Sequence, residues 1–397
     1  MKSVYIVDSV RTAIGKMGGA LKDVQPEVLA AKVIEEIVNR ANIGKQSVDE
    51  VILGQTKQSS DAPNIARSAL LRAGLPVDIP GYTVQRQCGS ALQAINNGAQ
   101  QIMCGLSDVI LAGGVESMSL APFYIRNARY GVGTGNTELV DSNTESQVRS
   151  QPVEQYGKLT MGLTAENLAE HYGISREEQD EFAQRSQQLA HDAITSGRFD
   201  KEIVSYEVRE RKSIKAFAVD EHPRLTSLEK LAGLKPVFKE NGTVTAGNSS
   251  GRNDGASAVI LMSEDAVEKY GVKPKAKIVS QAVSGVSPEI MGIGPVKATQ
   301  LALQRANLTL ADIGLIELNE AFAAQSIAVI RELNLDLNKV NVNGGAIALG
   351  HPLGATGSIL TTKLLHEMER RGVKYGLVTL CIGGGQGITT IFENCLV

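Results

Sequence analysis

Two blocks of this 397-residue chain recur in the same order, and that constrains the fold more than any single motif. Arg40-Ala-Asn-Ile and Arg305-Ala-Asn-Leu each close an amphipathic pattern. Each is followed by an acidic turn and an apolar run, Val51-Ile-Leu and Leu315-Ile-Glu-Leu. The shared offset is 265 residues, which sets Gly54 opposite Asn319. Further on, Val109-Ile-Leu-Ala-Gly-Gly resembles Val378-Thr-Leu-Cys-Ile-Gly-Gly-Gly. Matched blocks in one order imply a duplicated unit. Duplicated halves tend to meet at a pseudo-twofold axis, where their strand ends converge on one site.

Each half alternates strand and helix. Val4–Val7 reads as a strand. Pro26 to Arg40 has helical periodicity through Leu29, Val33, Ile37 and Val38. Val51–Leu53 is a buried strand, Ala62 to Ala73 a helix, and Asp108 onward a strand running into a glycine turn. The pattern returns with a strand at Lys275–Val283, a helix from Val296 to Arg305, a strand at Ile313–Leu318 and a helix from Ser358 to Met368. Such alternation predicts an α/β layered sandwich with a largely parallel central sheet. Between the halves the text is polar. Residues 121–156 are rich in Gly, Asn, Ser and Thr, and Ser175-Arg-Glu-Glu178 fits a capping box opening a helix that runs to about Ser196. The expected division is residues 1–120 plus 250–268 for the first half, 121–249 as an inserted loop domain, and 269–397 for the second half.

Composition excludes several classes. A net charge of −3 gives no sign of a nucleic-acid or anionic-membrane partner. There is no run of apolar residues long enough to span a bilayer. Met-Lys-Ser-Val-Tyr-Ile-Val-Asp begins as a strand, unlike a signal or transit peptide. Cys88, Cys104, Cys381 and Cys395 lie far apart without a CxxC pair, which argues against a zinc cluster or a disulfide framework and for a reducing, cytoplasmic setting. The 40 glycines exceed the usual share of ~7% and cluster, which suggests close backbone approach at a site.

Four stretches carry chemistry. After a β-prone piece, Cys88-Gly-Ser-Ala opens a helix marked by Leu92, Ile95, Ala99, Ile102 and Met103. A thiol at a helix N-terminus is more readily a thiolate; it is equally compatible with a small residue packing a strand–helix turn. His351, alone among five histidines, sits in a glycine loop before a helix, where it suits a general base or a turn satisfied by backbone. Leu380-Cys381-Ile-Gly-Gly-Gly-Gln-Gly follows a buried strand and lacks Walker or dinucleotide spacing. Asn319-Glu320 closes a strand, where a polar pair is costly unless used or paired. Arg209, Arg211, Lys212, Lys215 and Arg224 make a basic stretch, either a solvated strand pair or a clamp on an anionic ligand. Two thiols, an imidazole and an amide on four element ends suit acyl transfer. A cysteine protease would have no use for Cys381 or for the basic insertion.

The chain resembles the thiolases, the acetyl-CoA acetyltransferase/3-ketoacyl-CoA thiolase family, essentially end to end. The motifs are Cys88-Gly-Ser-Ala, Asn319-Glu-Ala-Phe, Gly350-His-Pro-Leu-Gly-Ala-Thr-Gly and Cys381-Ile-Gly-Gly-Gly-Gln-Gly. Gly114-Val-Glu-Ser-Met-Ser and Thr245-Ala-Gly-Asn-Ser-Ser-Gly support them. The resemblance implies a duplicated αβαβα sandwich with an inserted loop domain that binds coenzyme A. It implies reversible thiolysis of 3-ketoacyl-CoA, or condensation with acetyl-CoA, through an acyl-cysteine. Cys88 would be acylated and His351 would activate it. Cys381 would move the α-proton. Asn319 would hold a water that binds the enolate oxygen together with His351. The N–H groups of Cys88 and Gly383 would form a second oxyanion hole. Ser250, Arg224 and Met161 would contact coenzyme A, which is a substrate and not a resident cofactor. The family further suggests a homodimer or homotetramer.

Two departures bear on chain length. Thr160-Met161-Gly162 stands where short-chain biosynthetic members usually have His-Met-Gly, and Gln85-Arg-Gln precedes the nucleophile in place of an Asn-containing version. Two other readings compete. A condensing enzyme of the ketoacyl synthase type would have no second cysteine at 381. A carrier that kept the fold without catalysis would have no need of all four catalytic residues.

Overall fold

The computed structural model describes residues 2–210 and 213–397. The first half holds strands β1 (Val4–Thr12), β2 (Glu50–Gly54), β3 (Gly81–Val84), β4 (Val109–Ser117) and β5 (Asn253–Ser263). Its helices are α1 (Pro26–Ala41), α2 (Ile65–Arg72) and α3 (Ser90–Met103). The insertion carries α4 (Ser142–Val148), α5 (Met161–Tyr172) and α6 (Arg176–Thr195). The second half has β6 (Ala276–Gly285), β7 (Leu315–Leu318), β8 (Tyr375–Ile382) and β9 (Gln386–Asn394), with α7 (Gly294–Ala306), α8 (Ala323–Leu333) and α9 (Thr356–Arg371).

The duplication is visible in the pairing. The first half runs β3-β2-β4-β5-β1 and the second β7-β8-β9-β6, so β2, β4, β5 and β1 match β7, β8, β9 and β6 in order. Antiparallel contact of Tyr5 with Lys277 and of Ile6 with Ala276 joins the halves edge to edge. The second repeat block is shifted relative to the sequence match. Leu53 pairs with Gly113 and, one repeat later, Leu318 pairs with Thr379. Gly113 therefore lies opposite Thr379 inside a strand, and Gly383–Gly385 make a turn with no counterpart in the first half.

The sheet is mixed, which corrects the expectation of a largely parallel one. β2 lies parallel to β3 and β4, and β7 parallel to β8. In each half, however, the strand that follows, β5 or β9, runs antiparallel to its neighbours on both sides. For β9 the physical reason is connection length. β8 and β9 are joined by a tight glycine turn, which only an antiparallel pair permits.

Helices α3 and α9 pack on each other between the two halves of the sheet, with α1 and α2 outside one half and α7 and α8 outside the other. The order of layers is αβαβα. α1 starts with Pro26 at its first turn and stops at Asn42 in the left-handed conformation. α6 opens with the capping box of Ser175 and Glu178. The central layer is tight: a Cβ on Gly357 would lie 2.4 Å from the Leu92 backbone nitrogen.

The polar stretch after β4 is partly ordered. Phe123–Tyr124 pairs with Val140–Asp141, and α4 follows at once. Its basic part forms a hairpin of Tyr206–Glu210 with Ser213–Phe217; Arg211 and Lys212 lie outside the described residues. The insertion is anchored through Arg11 of β1, which is fully buried. Its guanidinium donates to Glu202 (2.7 Å) and to both oxygens of Asp220 (2.7 and 2.9 Å).

Candidate active site

The nucleophile candidate sits in the turn between β3 and α3. Gln87 has φ +44°, a left-handed conformation that costs a non-glycine residue roughly 1–3 kcal/mol. Ser90 holds that turn: its hydroxyl donates to the Gln87 carbonyl (2.6 Å) and accepts from the Arg86 N–H (2.8 Å). Glycine is required next, because a Cβ on Gly89 would come within 2.6 Å of the Ile382 side chain. Cys88 is thereby aimed into a cleft of about 180 Å³ that His351, Met161, Ser250 and Gly383 also line.

The backbone N–H groups of Cys88 and Gly383 both point at the Cys88 sulfur. They do not make it a ready thiolate, contrary to the expectation from the helix start. Burial dominates and pushes the thiol up to about 11. Cys88 needs a base.

His351 is built to be that base. Its loop starts at Gly350, with φ +107°, where an added Cβ would strike the Asn253 side chain. The Asn253 amide oxygen accepts from the His351 N–H (2.9 Å). Thr356 Oγ1 lies 2.7 Å from Nδ1 and gives its own proton to the Pro352 carbonyl (2.9 Å). The Thr356 oxygen is then left to accept, so Nδ1 carries the ring proton and Nε2 keeps its lone pair. Nε2 lies 3.4 Å from Asn319 Nδ2. Burial holds the ring down at about 4, neutral under ordinary conditions.

Asn319 is fully buried at the end of β7, where its N–H donates to the Thr379 carbonyl (3.0 Å). Its Oδ1 has no partner. Cys381 lies near the end of β8, fully buried among Met161, Met291, Phe322 and Phe238. It adjoins the cleft through Met161, Met291 and Phe322, which line it, and is close enough to Cys88 to feel its charge. Desolvation first, and then Cys88, push its pKa well above the ordinary thiol range.

Cys88, His351, Asn319, Cys381 and Gly383 thus come together. Met161 and Ser250 line the same cleft, and the Ser250 N–H donates to the Ala321 carbonyl (3.0 Å). Arg224 is not brought in. It is exposed outside the cleft lining, with its backbone N–H on the Gln187 side chain (2.9 Å). Thr160 also stays out: its hydroxyl accepts from the Leu163 N–H as the cap of α5.

Sequence reasoning missed several groups. Glu116, fully buried, accepts from the N–H groups of Thr56 (3.1 Å), Lys57 (3.0 Å) and Gly354 (2.8 Å). It ties the histidine loop to the end of β2. The Gly114-Val-Glu run was the available signal. β4 presses on the same loop so closely that a Cβ on Gly114 would lie 2.0 Å from the Gly354 carbonyl oxygen. Glu320 is paired, as its position demanded: it accepts from Ser186 (2.6 Å) and Asn341 (2.8 Å). Asn253 and Lys57 gave no sequence signal.

A neutral acceptor facing a neutral thiol fixes the expected pH dependence. Single-turnover acetylation of Cys88 by acetyl-CoA should be level between about pH 6 and 9 and should fall toward pH 4 as His351 gains a proton. An inflection near the free imidazole value, about 6.5, would mean that His351 is not held neutral by burial.

A half-buried thiol, an imidazole whose unprotonated Nε2 lies beside Asn319, two N–H groups that favour one thiolate and a second protonated thiol define an enzyme of thioester exchange and carbon–carbon bond cleavage. The family comparison agrees. Residues 4–265 match the thiolase N-terminal domain and residues 272–394 the thiolase C-terminal domain, and the chain belongs to the thiolase family. It is 51% identical over 390 residues to an acetyl-CoA acetyltransferase of Pseudomonas aeruginosa, with 98% of each chain covered. It is 48% identical to a human mitochondrial 3-ketoacyl-CoA thiolase, covering 99% of each. Among solved structures it superposes on a Bacillus anthracis acetyl-CoA acetyltransferase with TM-score 0.96 at 48% identity, covering 99% of each chain. It superposes on human mitochondrial 3-ketoacyl-CoA thiolase in complex with CoA with TM-score 0.95 at 47% identity, covering 99% of this chain and 98% of the other. No helix among the described residues is long and apolar enough to cross a membrane.

Proposed function

We propose that the cleft cleaves 3-ketoacyl-CoA with coenzyme A, and runs the reverse condensation, by the following assignment. His351 Nε2 takes the Cys88 proton as the sulfur attacks the 3-keto carbon. The N–H groups of Cys88 and Gly383 receive the oxyanion. Collapse breaks the bond between carbons 2 and 3 and leaves the acyl group on Cys88. The electron pair goes to the acetyl-CoA enolate. Its oxygen meets the new Nε2–H of His351 and a water held by the unpartnered Oδ1 of Asn319. Cys381 gives its proton to carbon 2. The raised pKa of Cys381 keeps that proton on sulfur until a strongly basic carbanion forms. A second coenzyme A then gives its thiol proton to Cys381 and takes the acyl group from Cys88, whose departing sulfur regains its proton from His351.

The observation that carries this reading is the placement of two desolvated thiols close enough to feel each other's charge at one cleft, with a tautomer-locked imidazole beside them. Coenzyme A is a substrate here, with Ser250 and Met161 along its path and Arg224 a remoter contact. We further assign the chain to the cytoplasm and to a homodimer or homotetramer. The exposed apolar side chains of Phe123, Tyr130 and Leu139 on the loop after β4 fit a contact between copies. The direct test is mass spectrometry after acetyl-CoA, followed by thiolysis of 3-ketoacyl-CoA of increasing length. An intact mass without added acetyl and no release of acetyl-CoA would overturn the assignment.

For Asn319→Ala, turnover should fall roughly 10²–10³-fold, the scale for one oxyanion donor. The coenzyme A dissociation constant should stay nearly unchanged. Loss confined to binding would make Asn319 a substrate contact instead.

A further inference from the structure

The cleft has two unlike walls. One is apolar: Met161, Met291, Phe238 and Phe322 belong to the hydrophobic cluster around Cys381. The other is polar and comes from α4, from Gln87 and from the segment after β2. On it lies Lys57, only 6% exposed. Its ammonium touches the Ser146 hydroxyl and lies 3.4 Å from the Ser142 carbonyl. No carboxylate among the described residues lies within ion-pair distance. The two nearest acids are otherwise engaged. Glu116 accepts from Thr56, Lys57 and Gly354 main chain, and Asp141 caps α4 through Asn143 and Thr144. Arg252 lines the same cleft, close enough to Lys57 to disfavour its charge, and its guanidinium has no acidic partner among the described residues.

A buried ammonium without a counter-ion is expensive and persists where an anion completes it. The phosphates of coenzyme A do not fit that role, because the pantetheine arm holds them far from the thioester that must reach Cys88. Lys57 lies near Cys88, close enough for each to feel the other's charge. The anion must therefore belong to the acyl chain.

We propose, on the thiolase reading above, that the acyl chain accepted by this cleft ends in a carboxylate, which Lys57 binds directly and Arg252 attracts at the mouth. The substrate class is the short 3-oxo-dicarboxylic acyl thioester, and the acyl group left on Cys88 is a dicarboxylic half-thioester. Nothing in the bond-breaking steps changes, because the far carboxylate takes no part in them.

The test compares two six-carbon 3-oxoacyl-CoA substrates that differ only at carbon 6, one with a carboxylate and one with a methyl group. Wild type should favour the carboxylated substrate in kcat/KM by about tenfold or more, as one charge-assisted contact implies. Lys57→Met should abolish or reverse that ratio, Lys57→Arg should keep it, and Arg252→Leu should reduce it several-fold. If wild type cleaves the methyl-ended thioester without favouring the carboxylated one, this inference is overturned and the thiolase reading stands. If Lys57→Met slows both substrates equally, Lys57 acts on Cys88 and the inference is again overturned. If neither substrate is cleaved and Cys88 takes up no acyl group, both readings fall.

Discussion

Cys88→Ala takes up no acetyl group from acetyl-CoA, while coenzyme A still binds. The expectation follows from the geometry. The side chain ends at a sulfur whose thiolate both the Gly383 and Cys88 N–H groups favour. The other thiols are placed differently: Cys104 and Cys395 are exposed, and Cys381 is enclosed in the apolar cluster of Met161, Met291 and Phe322. Removing a covalent nucleophile from a concerted group costs on the order of 10⁶ in turnover when the remaining groups act only through it. The cavity left by a sulfur is small and the fold should tolerate it, since Ser90 and Gln87 set the turn through their backbone and hydroxyl. Intact-mass spectra and an equilibrium binding measurement separate the two effects. A stable acetyl adduct on the variant would move the nucleophile elsewhere.

Cys381→Ala should separate the reaction into halves. Acetylation of Cys88 should survive, because it needs only His351 and the two N–H groups. Carbon–carbon cleavage and condensation should fall by several orders of magnitude, because the proposed acid for carbon 2 is gone and the apolar Met161, Met291 and Phe322 beside it offer no replacement. The side chain is fully buried, so the loss of a sulfur also costs packing, about 1 kcal/mol for a deleted group of this size. A melting curve measures that loss separately. Near-normal thiolysis would transfer the carbon acid role to His351.

Much of this was legible in the residues. The duplicated order of strands followed from Arg40-Ala-Asn-Ile and Arg305-Ala-Asn-Leu. The converging cysteines, histidine and amide followed from glycine-rich strand ends. What the text hid is what depends on burial and on distant partners. Cys88 at a helix start reads as an easy thiolate, but desolvation outweighs the helix end. The direction of β9 follows from a short connection, and that of β5, reached only after the insertion, from its pairing with β1 and β4, neither of which periodicity shows. Arg224 is basic and close in sequence to Ser250, yet it is exposed and outside the cleft lining. Thr160 looked like a pocket residue and is a helix cap. Asn253, Glu116 and Lys57 sit in ordinary local sequence; only the fold reveals which loops they hold or which anion they await.

The division of the site between two repeats has a consequence for how the activity comes into being. Cys88 belongs to the first repeat, and His351, Asn319 and Cys381 to the second. The repeats touch through a pair of edge strands, through the histidine loop held by Asn253 and Glu116, and through α3 against α9, where a single added methyl at Gly357 would force the backbones apart. Neither repeat carries a complete set of reacting groups, so a folded fragment is chemically silent. A partly joined chain cannot acylate itself wastefully. Turnover therefore reports one event, the closing of the seam, and the reactive sulfur stays unactivated until the histidine from the other side arrives.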